Sequence, residues 1–172
     1  MDKFFKPTLF SLLLLLSISQ RVFSQNFPVD CRVLLSPPLS GQLSEVLNSP
    51  LKFRVQLLLK DLTKPSVSVS LQIRLKGQGV WLQNPEGFLA SQPITLTPGI
   101  PKTISAVELG EYFSPQNIEA QGIDYQQLLN GLSLPFGFYE WEVIAIEQDR
   151  FRQVSNTATA KFFVQNNYPP IL

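Results

Sequence analysis

Residues 51–75 constrain the fold most strongly, because they form two arms in which apolar and polar side chains alternate. The first arm has apolar side chains at every second position, at Leu51, Phe53, Val55, Leu57 and Leu59. The second arm repeats the pattern at Val67, Val69, Leu71, Ile73 and Leu75. Successive side chains of an extended strand point to opposite faces, so each arm predicts a strand with one apolar and one polar face.

The connection between the arms, residues 61–66, has the composition of a turn. It contains Pro65, which cannot donate a ladder hydrogen bond. Two adjacent arms of matched pattern with a short connection predict an antiparallel hairpin. A lone hairpin with one apolar face is not stable in water. The rest of the chain must therefore cover that face.

The first 24 residues predict a cleaved secretory signal peptide. Lys3 and Lys6 precede an almost unbroken apolar run from Leu9 to Ile18, and the cleavage point falls before Gln25. The run is shorter than the roughly 20 apolar residues that a membrane-spanning helix needs. We therefore expect an exported protein, periplasmic, at the cell surface or extracellular, that is not an integral membrane protein after cleavage.

The chain that remains after this cleavage has 148 residues, enough for one domain with a sizeable core. It carries 11 basic and 12 acidic residues, a net charge of −1, with no basic patch, so a nucleic-acid partner is not expected. Cys31 is the only cysteine, which excludes an intramolecular disulfide and favours a free, buried thiol over a disulfide with another chain. The chain has no histidine, which excludes His-dependent nucleophilic sites and the usual zinc sites.

Outside residues 51–75, the sequence predicts further short strands and a few short helices. Further strands are predicted at residues 31–35, 80–82, 94–97, 138–147 and 154–164. Short helices are predicted near residues 40–48, 106–112 and 125–129, although a loop explains the first of these equally well. Residues 114–121 fit either a further helical turn or an edge strand.

This succession of elements favours an all-β fold, an antiparallel β-sandwich of the immunoglobulin or fibronectin type III kind. The domain is expected to span residues 25–165, with a few short helices in the connection from Leu82 to Leu134. Residues 166–172 contain Pro169 and Pro170 and predict an extended tail or linker.

Two known families share motifs with this chain. The segments 137–139 (GFY), 143–145 (VIA) and 154–156 (VSN) resemble the last two strands of fibronectin type III and related immunoglobulin-like domains. A broader set is similar to the TANFOR domain and runs, in the same order, over nearly the whole chain after the signal segment. Its motifs are 59–66 (LKDLTKPS), 94–101 (ITLTPGIP), 134–139 (LPFGFY), 154–156 (VSN) and 169–172 (PPIL).

The TANFOR resemblance implies a role in the cell envelope. That domain is usually the amino-terminal module of large exported proteins in bacteria with type IX secretion and gliding machinery, often ahead of fibronectin-like modules. Its members often carry a cysteine pair around the last two strands, which this chain lacks. The resemblance implies protein partners in the envelope or in following modules, and it names no catalytic residue.

Glu140 and Glu142 are the carboxylate pair that an enzyme could use. Two positions apart on one strand face, their side chains would lie roughly 7 Å from each other, a separation compatible with glycoside hydrolysis. The solvent-facing side of a strand explains the same pattern, and nothing nearby predicts a buried acid with a raised pKa. We therefore predict a non-enzymatic protein with no catalytic residue, no cofactor and no metal site.

Three aromatic residues are candidate ligand contacts, because sugars stack on exposed aromatic rings. Trp81 lies beside two glycines, and Tyr112 and Tyr125 lie in other connections. Burial in the core explains aromatic residues of this kind as well. The sequence thus predicts a module for protein–protein contacts in surface structure, adhesion, or type IX secretion and gliding. The alternative is a carbohydrate-binding module of the cell surface.

Overall fold

Ten strands in two antiparallel sheets form the framework of the fold in a computed structural model that describes residues 26–165. The strands are β1 (Val29–Leu35), β2 (Phe53–Leu59), β3 (Val67–Gly77), β4 (Val80–Gln83), β5 (Ile94–Leu96), β6 (Lys102–Ser105), β7 (Glu119–Gln121), β8 (Gly137–Glu147), β9 (Arg152–Gln153) and β10 (Ala158–Val164). The predicted all-β sandwich is confirmed. The predicted signal peptide, residues 1–24, and the predicted tail, residues 166–172, lie outside the described residues.

The two sheets differ in size. The small sheet has the order β1-β2-β6. The large sheet has the order β10-β8-β3-β4-β7, with β5 pairing with β3 and β9 pairing with β8. The long strands β3 and β8 occupy the centre of the large sheet and pair along eight residues of each, from Val69↔Glu147 to Lys76↔Glu140.

The two alternating arms of residues 51–75 are β2 and β3, but they do not form the predicted hairpin. β2 pairs with β1 and β6 in the small sheet. β3 pairs with β8, β4 and β5 in the large sheet. Residues 60–66 therefore cross from one sheet to the other. The prediction was wrong because alternation specifies which face of a strand is buried and not which strand lies beside it. Two apolar faces can meet across a sandwich as well as side by side.

Aromatic rings join the two sheets at the centre of the core. Phe53 of β2 lies 4.7 Å from Trp141 of β8, measured between ring centroids. Phe113 contacts both rings edge-on, at 5.9 Å from Phe53 and 6.0 Å from Trp141. Aromatic pairs in such tilted and edge-on arrangements contribute about 0.5–1.5 kcal/mol beyond the burial of their area.

Cys31 lies on β1 with a buried, free thiol, as the sequence predicts. Burial and the negative charge of Asp30 raise the pKa of this thiol to about 12, against a smaller lowering by a hydrogen bond with Ser155. The thiol is therefore neutral at physiological pH, and it acts as a small apolar side chain of the core.

The short helices follow the predicted positions except in one place. Helix α1 (Leu43–Leu47) confirms the helical interpretation of residues 40–48. Helix α2 (Tyr125–Leu129) is capped by Asp124, whose side chain accepts a hydrogen bond from the backbone N–H of Gln126 at 2.8 Å. Residues 114–121 contain both alternatives, a 3-10 helix at Pro115–Asn117 followed by the edge strand β7.

The predicted α-helix over residues 106–112 is wrong. Ser105 and Glu108 form the expected capping hydrogen bonds, with Ser105 N–H donating to the Glu108 carboxylate at 2.8 Å. Turns and a 3-10 helix at Gly110–Phe113 follow instead. The N–H of Ala106 donates to Phe53 O at 3.0 Å, so the chain is still tied to β2 where the helix would begin.

Asn84 anchors the connection after β4 to the large sheet. Its buried side chain accepts a hydrogen bond from Ile73 N–H at 2.9 Å. Its amide group donates to the carbonyl oxygens of Tyr112 at 2.8 Å and Asn117 at 2.9 Å. One side chain thus satisfies three backbone groups that belong to a central strand and to the two 3-10 helices.

We expect Asn84→Ala to lower the free energy of unfolding by about 3 kcal/mol, because it leaves several buried polar groups without partners. Urea denaturation checks this value. The matched control is Gln83→Ala on the solvent-facing side of β4, which should change stability by no more than about 0.5 kcal/mol. Equal losses for the two variants would contradict the anchoring role.

Candidate functional site

The solvent-facing side of the large sheet carries two rows of polar side chains that we call the polar face. The first row crosses five strands with Gln121, Trp81, Lys76, Glu140 and Lys161. The second row lies beside it with Glu119, Gln83, Arg74, Glu142 and Thr159. The alternation that buries one face of each strand places these side chains together on the other face.

Cations and carboxylates alternate across the polar face. Glu142 binds Arg74 at 3.2 Å and also binds Lys76. Glu140 lies 3.4 Å from Lys76 and 3.3 Å from Lys161. The hydrogen bond with Glu142 is the largest of the effects that raise the pKa of Lys76.

The pKa of Glu140 lies below its ordinary value. Burial acts to raise it, but the hydrogen bonds and charges of Lys161 and Lys76 outweigh that effect. A general acid in a glycoside hydrolase needs the opposite, a carboxyl group with a raised pKa. Glu140 and Glu142 therefore act here as members of a surface ion-pair network.

A groove of about 320 Å³ borders the second row. Three glutamine side chains line it, those of Gln72, Gln83 and Gln153, together with the Arg74–Glu142 ion pair. A side-chain amide can both donate and accept hydrogen bonds. This lining suits a neutral ligand with many hydroxyl groups.

The three aromatic residues proposed as ligand contacts lie in different environments. Trp81 is partly exposed on β4, with the guanidinium carbon of Arg74 5.5 Å from its ring centroid. Tyr112 and Tyr125 are buried, so their rings offer no face for stacking, and the prediction needs correction for these two residues. The structure does not bring the three together as one ligand-contact surface.

The buried tyrosines hold the long connection against the core. The hydroxyl of Tyr112 accepts a hydrogen bond from Leu71 N–H at 3.3 Å, and the hydroxyl of Tyr125 donates to Phe113 O at 2.7 Å. Burial raises the pKa of both hydroxyl groups. Aromatic residues in a connection between strands can therefore serve the core, which the local sequence pattern does not reveal.

An aromatic patch at the end of the polar face is the feature that the sequence analysis missed. It consists of Phe136, Phe138 and Phe163, which are 55%, 68% and 36% exposed. The rings of Phe138 and Phe163 lie 4.6 Å apart, and those of Phe136 and Phe163 lie 5.1 Å apart. The sequence pattern could have revealed this patch. Alternation along β8 and β10 buries Tyr139 and Val164, and it therefore directs the neighbouring side chains of Phe138 and Phe163 outward.

Two properties of the described part of the chain bear on the kind of site. Residues 26–165 contain no group of three or more His, Cys, Asp or Glu side chains placed to hold a metal ion. No helix within the same residues is long and apolar enough to cross a bilayer.

Comparison with known proteins gives a weak structural likeness. No family model matches the chain, and no curated protein matches it. The chain is similar to the crystal structure of a FixG-related protein from Vibrio parahaemolyticus, at 10% sequence identity and a TM-score of 0.42. The match covers 80% of this chain and 97% of the other. A likeness at this level identifies neither a function nor a site.

The ion pairs predict how Glu140 responds to the loss of a neighbour. We expect Lys161→Ala to raise the pKa of Glu140 toward its ordinary value, because a cation that favours the charged carboxylate is removed. Carboxyl carbon NMR shifts recorded against pH measure this change. Lys102→Ala, a control in the small sheet, should leave the Glu140 titration unchanged.

The same shift has a consequence for stability. The folded pKa of Glu140 is lowered, so its contribution is present above the unfolded pKa and is lost as pH falls through the folded pKa. Lys161→Ala should therefore reduce the loss of folding stability that the protonation of Glu140 causes at low pH. An unchanged Glu140 pKa in Lys161→Ala would contradict the ion-pair account.

Proposed function

We propose that the chain is an exported, non-enzymatic β-sandwich module that acts through protein–protein contacts at the bacterial cell surface or envelope. The aromatic patch is the observation that carries this proposal. Soluble proteins rarely expose clustered large apolar side chains, and such clusters are typical of interaction sites. Aromatic side chains are also enriched at protein interfaces.

The sequence supports the location and the kind of partner. The predicted signal peptide favours export, and the TANFOR resemblance favours a module of surface structure, adhesion, or type IX secretion and gliding. Of the two kinds of partner that the resemblance implies, the proposed one is an envelope protein. Phe138 and Phe163 of the patch lie on β8 and β10, the last long strands before residues 166–172, and Phe136 directly precedes β8.

The chemistry of the polar face supports a role without catalysis. Its two central carboxylates, Glu140 and Glu142, are both paired with cations. Against the effect of burial, the pKa of Glu140 is lowered by Lys161 and Lys76, so this carboxyl group lacks the proton that an acid catalyst must donate.

Capture of envelope proteins tests the proposal. The chain from Gln25 onward, immobilised and exposed to envelope extract, should retain a defined protein that the double variant Phe138→Ser and Phe163→Ser retains at least about tenfold less well. The matched control is Phe151→Ser, an exposed phenylalanine in the turn between β8 and β9. Failure to retain any protein, or an equal loss in the control, would contradict the proposal.

Carbohydrate binding is a second candidate, favoured by the groove beside the polar face. Its glutamine side chains are suited to hydroxyl groups, and the ring of Trp81 packs against Arg74, one of the residues that line the groove. Aromatic side chains with a few polar groups are typical of small-molecule sites. The ligand would be a neutral glycan of the cell surface.

A glycan array tests this candidate directly. Wild-type signal on a neutral glycan should fall at least about tenfold in Trp81→Ala, because the aromatic surface is lost. Phe138→Ser, outside the groove, should keep the signal. An array without signal for the wild-type chain would remove the candidate.

A further inference from the structure

Strand β10 lies at one edge of the large sheet. It pairs with β8 along its whole length, from Ala158↔Val143 to Val164↔Gly137. Within residues 26–165 no strand pairs with its other side. In an antiparallel pair, every second residue of an edge strand directs its N–H and C=O away from the neighbour. The outer side of β10 thus presents backbone groups that can pair with another strand.

Strand β1 of the small sheet lies beside the outer edge of β10, and we call the boundary between these two strands the seam. Hydrogen bonds close the seam at one end. Val29 N–H donates to Val154 O at 3.0 Å. The side chain of Asn156 then exchanges two hydrogen bonds with the backbone of Cys31, both at 2.9 Å. Ordinary strand pairing is replaced here by a side-chain amide, which ties β1 to the start of β10.

The seam opens toward the other end of β10. A groove of about 620 Å³ lies there between the Pro37–Pro38 loop and residues 161–165. Leu35, Leu39 and Phe162 supply apolar surface, and Phe163 joins the groove to the aromatic patch. No hydrogen bond between the backbones of β1 and β10 bridges this part of the described chain. The groove is therefore bordered by an unpaired strand edge.

The charge at this edge favours an acidic partner. Lys161 points to the solvent-facing side of β10, and its side chain is 75% exposed. The charged residues that line the groove are two cations, Lys52 and Lys161, and one carboxylate, Glu45. An exposed lysine on an edge strand also opposes pairing with a second copy, because natural proteins use such residues against self-association.

We propose that a partner protein docks an extended segment against the outer edge of β10, at residues 160–164, and adds a strand to the large sheet. Apolar side chains of the segment enter the groove, and an acidic side chain on its other face lies opposite Lys161. Strand addition of this kind takes affinity from main-chain hydrogen bonds and specificity from alternate side chains. This inference rests on the proposed function and specifies the form of the partner.

Three synthetic heptapeptides serve as probes. The first alternates valine with glutamate, the second alternates valine with lysine, and the third is the glutamate peptide with N-methyl groups on the pairing edge. The glutamate peptide should bind and protect the amides of residues 160–164 from hydrogen exchange. The other two should bind at least about tenfold more weakly, a difference of about 1.4 kcal/mol. Equal binding of the N-methylated peptide, or protection only outside β10, would overturn the proposal.

Charge reversal supplies an independent readout. Lys161→Glu should prefer the lysine peptide to the glutamate peptide, whereas Lys102→Glu, on the edge strand β6 of the small sheet, should keep the wild-type preference. The glutamate peptide should bind the full chain as well as a chain that ends at Gln165. If it binds only the shortened chain, residues 166–172 occupy the edge of β10 in the full chain, and partner docking is overturned. A dimer in sedimentation that Lys161→Glu abolishes would overturn it in favour of a second copy.

The two proposals fail in different ways. If the capture of an envelope protein depends on Phe138 and Phe163 but no peptide binds β10, strand docking is overturned and the proposed function stands. If no envelope protein is captured, the proposed function fails at its own test.

Discussion

The contact between Phe53 and Trp141 is the interaction on which the rest of the structure depends. It joins the small sheet to the centre of the large one, and Phe113 packs against both rings. With one cysteine and no histidine, the chain cannot form an internal disulfide or a zinc site of Cys and His ligands to hold two sheets together. Burial of apolar area must supply that stability, at roughly 25 cal/mol for each Å² removed from water.

Because the inner faces of both sheets are occupied by the core, the proposed partner has to contact the outside of the sandwich. The polar face, the aromatic patch and the open edge of β10 all lie on or beside the outer side of the large sheet. Phe163 belongs to both the patch and the border of the groove, so the apolar surface continues to the unpaired strand edge. A partner could therefore contact rings and backbone at the same time.

Sequence alternation predicted the strands well and their neighbours poorly. It correctly located β3 and β8 and the buried face of each, but it joined β2 and β3 in a hairpin that does not exist. The capping patterns in the sequence predicted one short helix correctly and another wrongly. Asp124 caps a helix as predicted, whereas the Ser105–Glu108 pair forms its hydrogen bonds without an α-helix after it. At this point a backbone hydrogen bond from Ala106 N–H to Phe53 O still ties the chain to β2.

The sequence by itself determined the all-β class, the buried face of each long strand and the free thiol of Cys31. These properties follow from side-chain type and spacing along the chain. Only the tertiary structure decided that β2 and β3 lie in opposite sheets, that Tyr112 and Tyr125 are core residues, and that Phe136 joins Phe138 and Phe163. Each depends on contacts between residues far apart in sequence, and local periodicity carries no information about which distant segment supplies the partner.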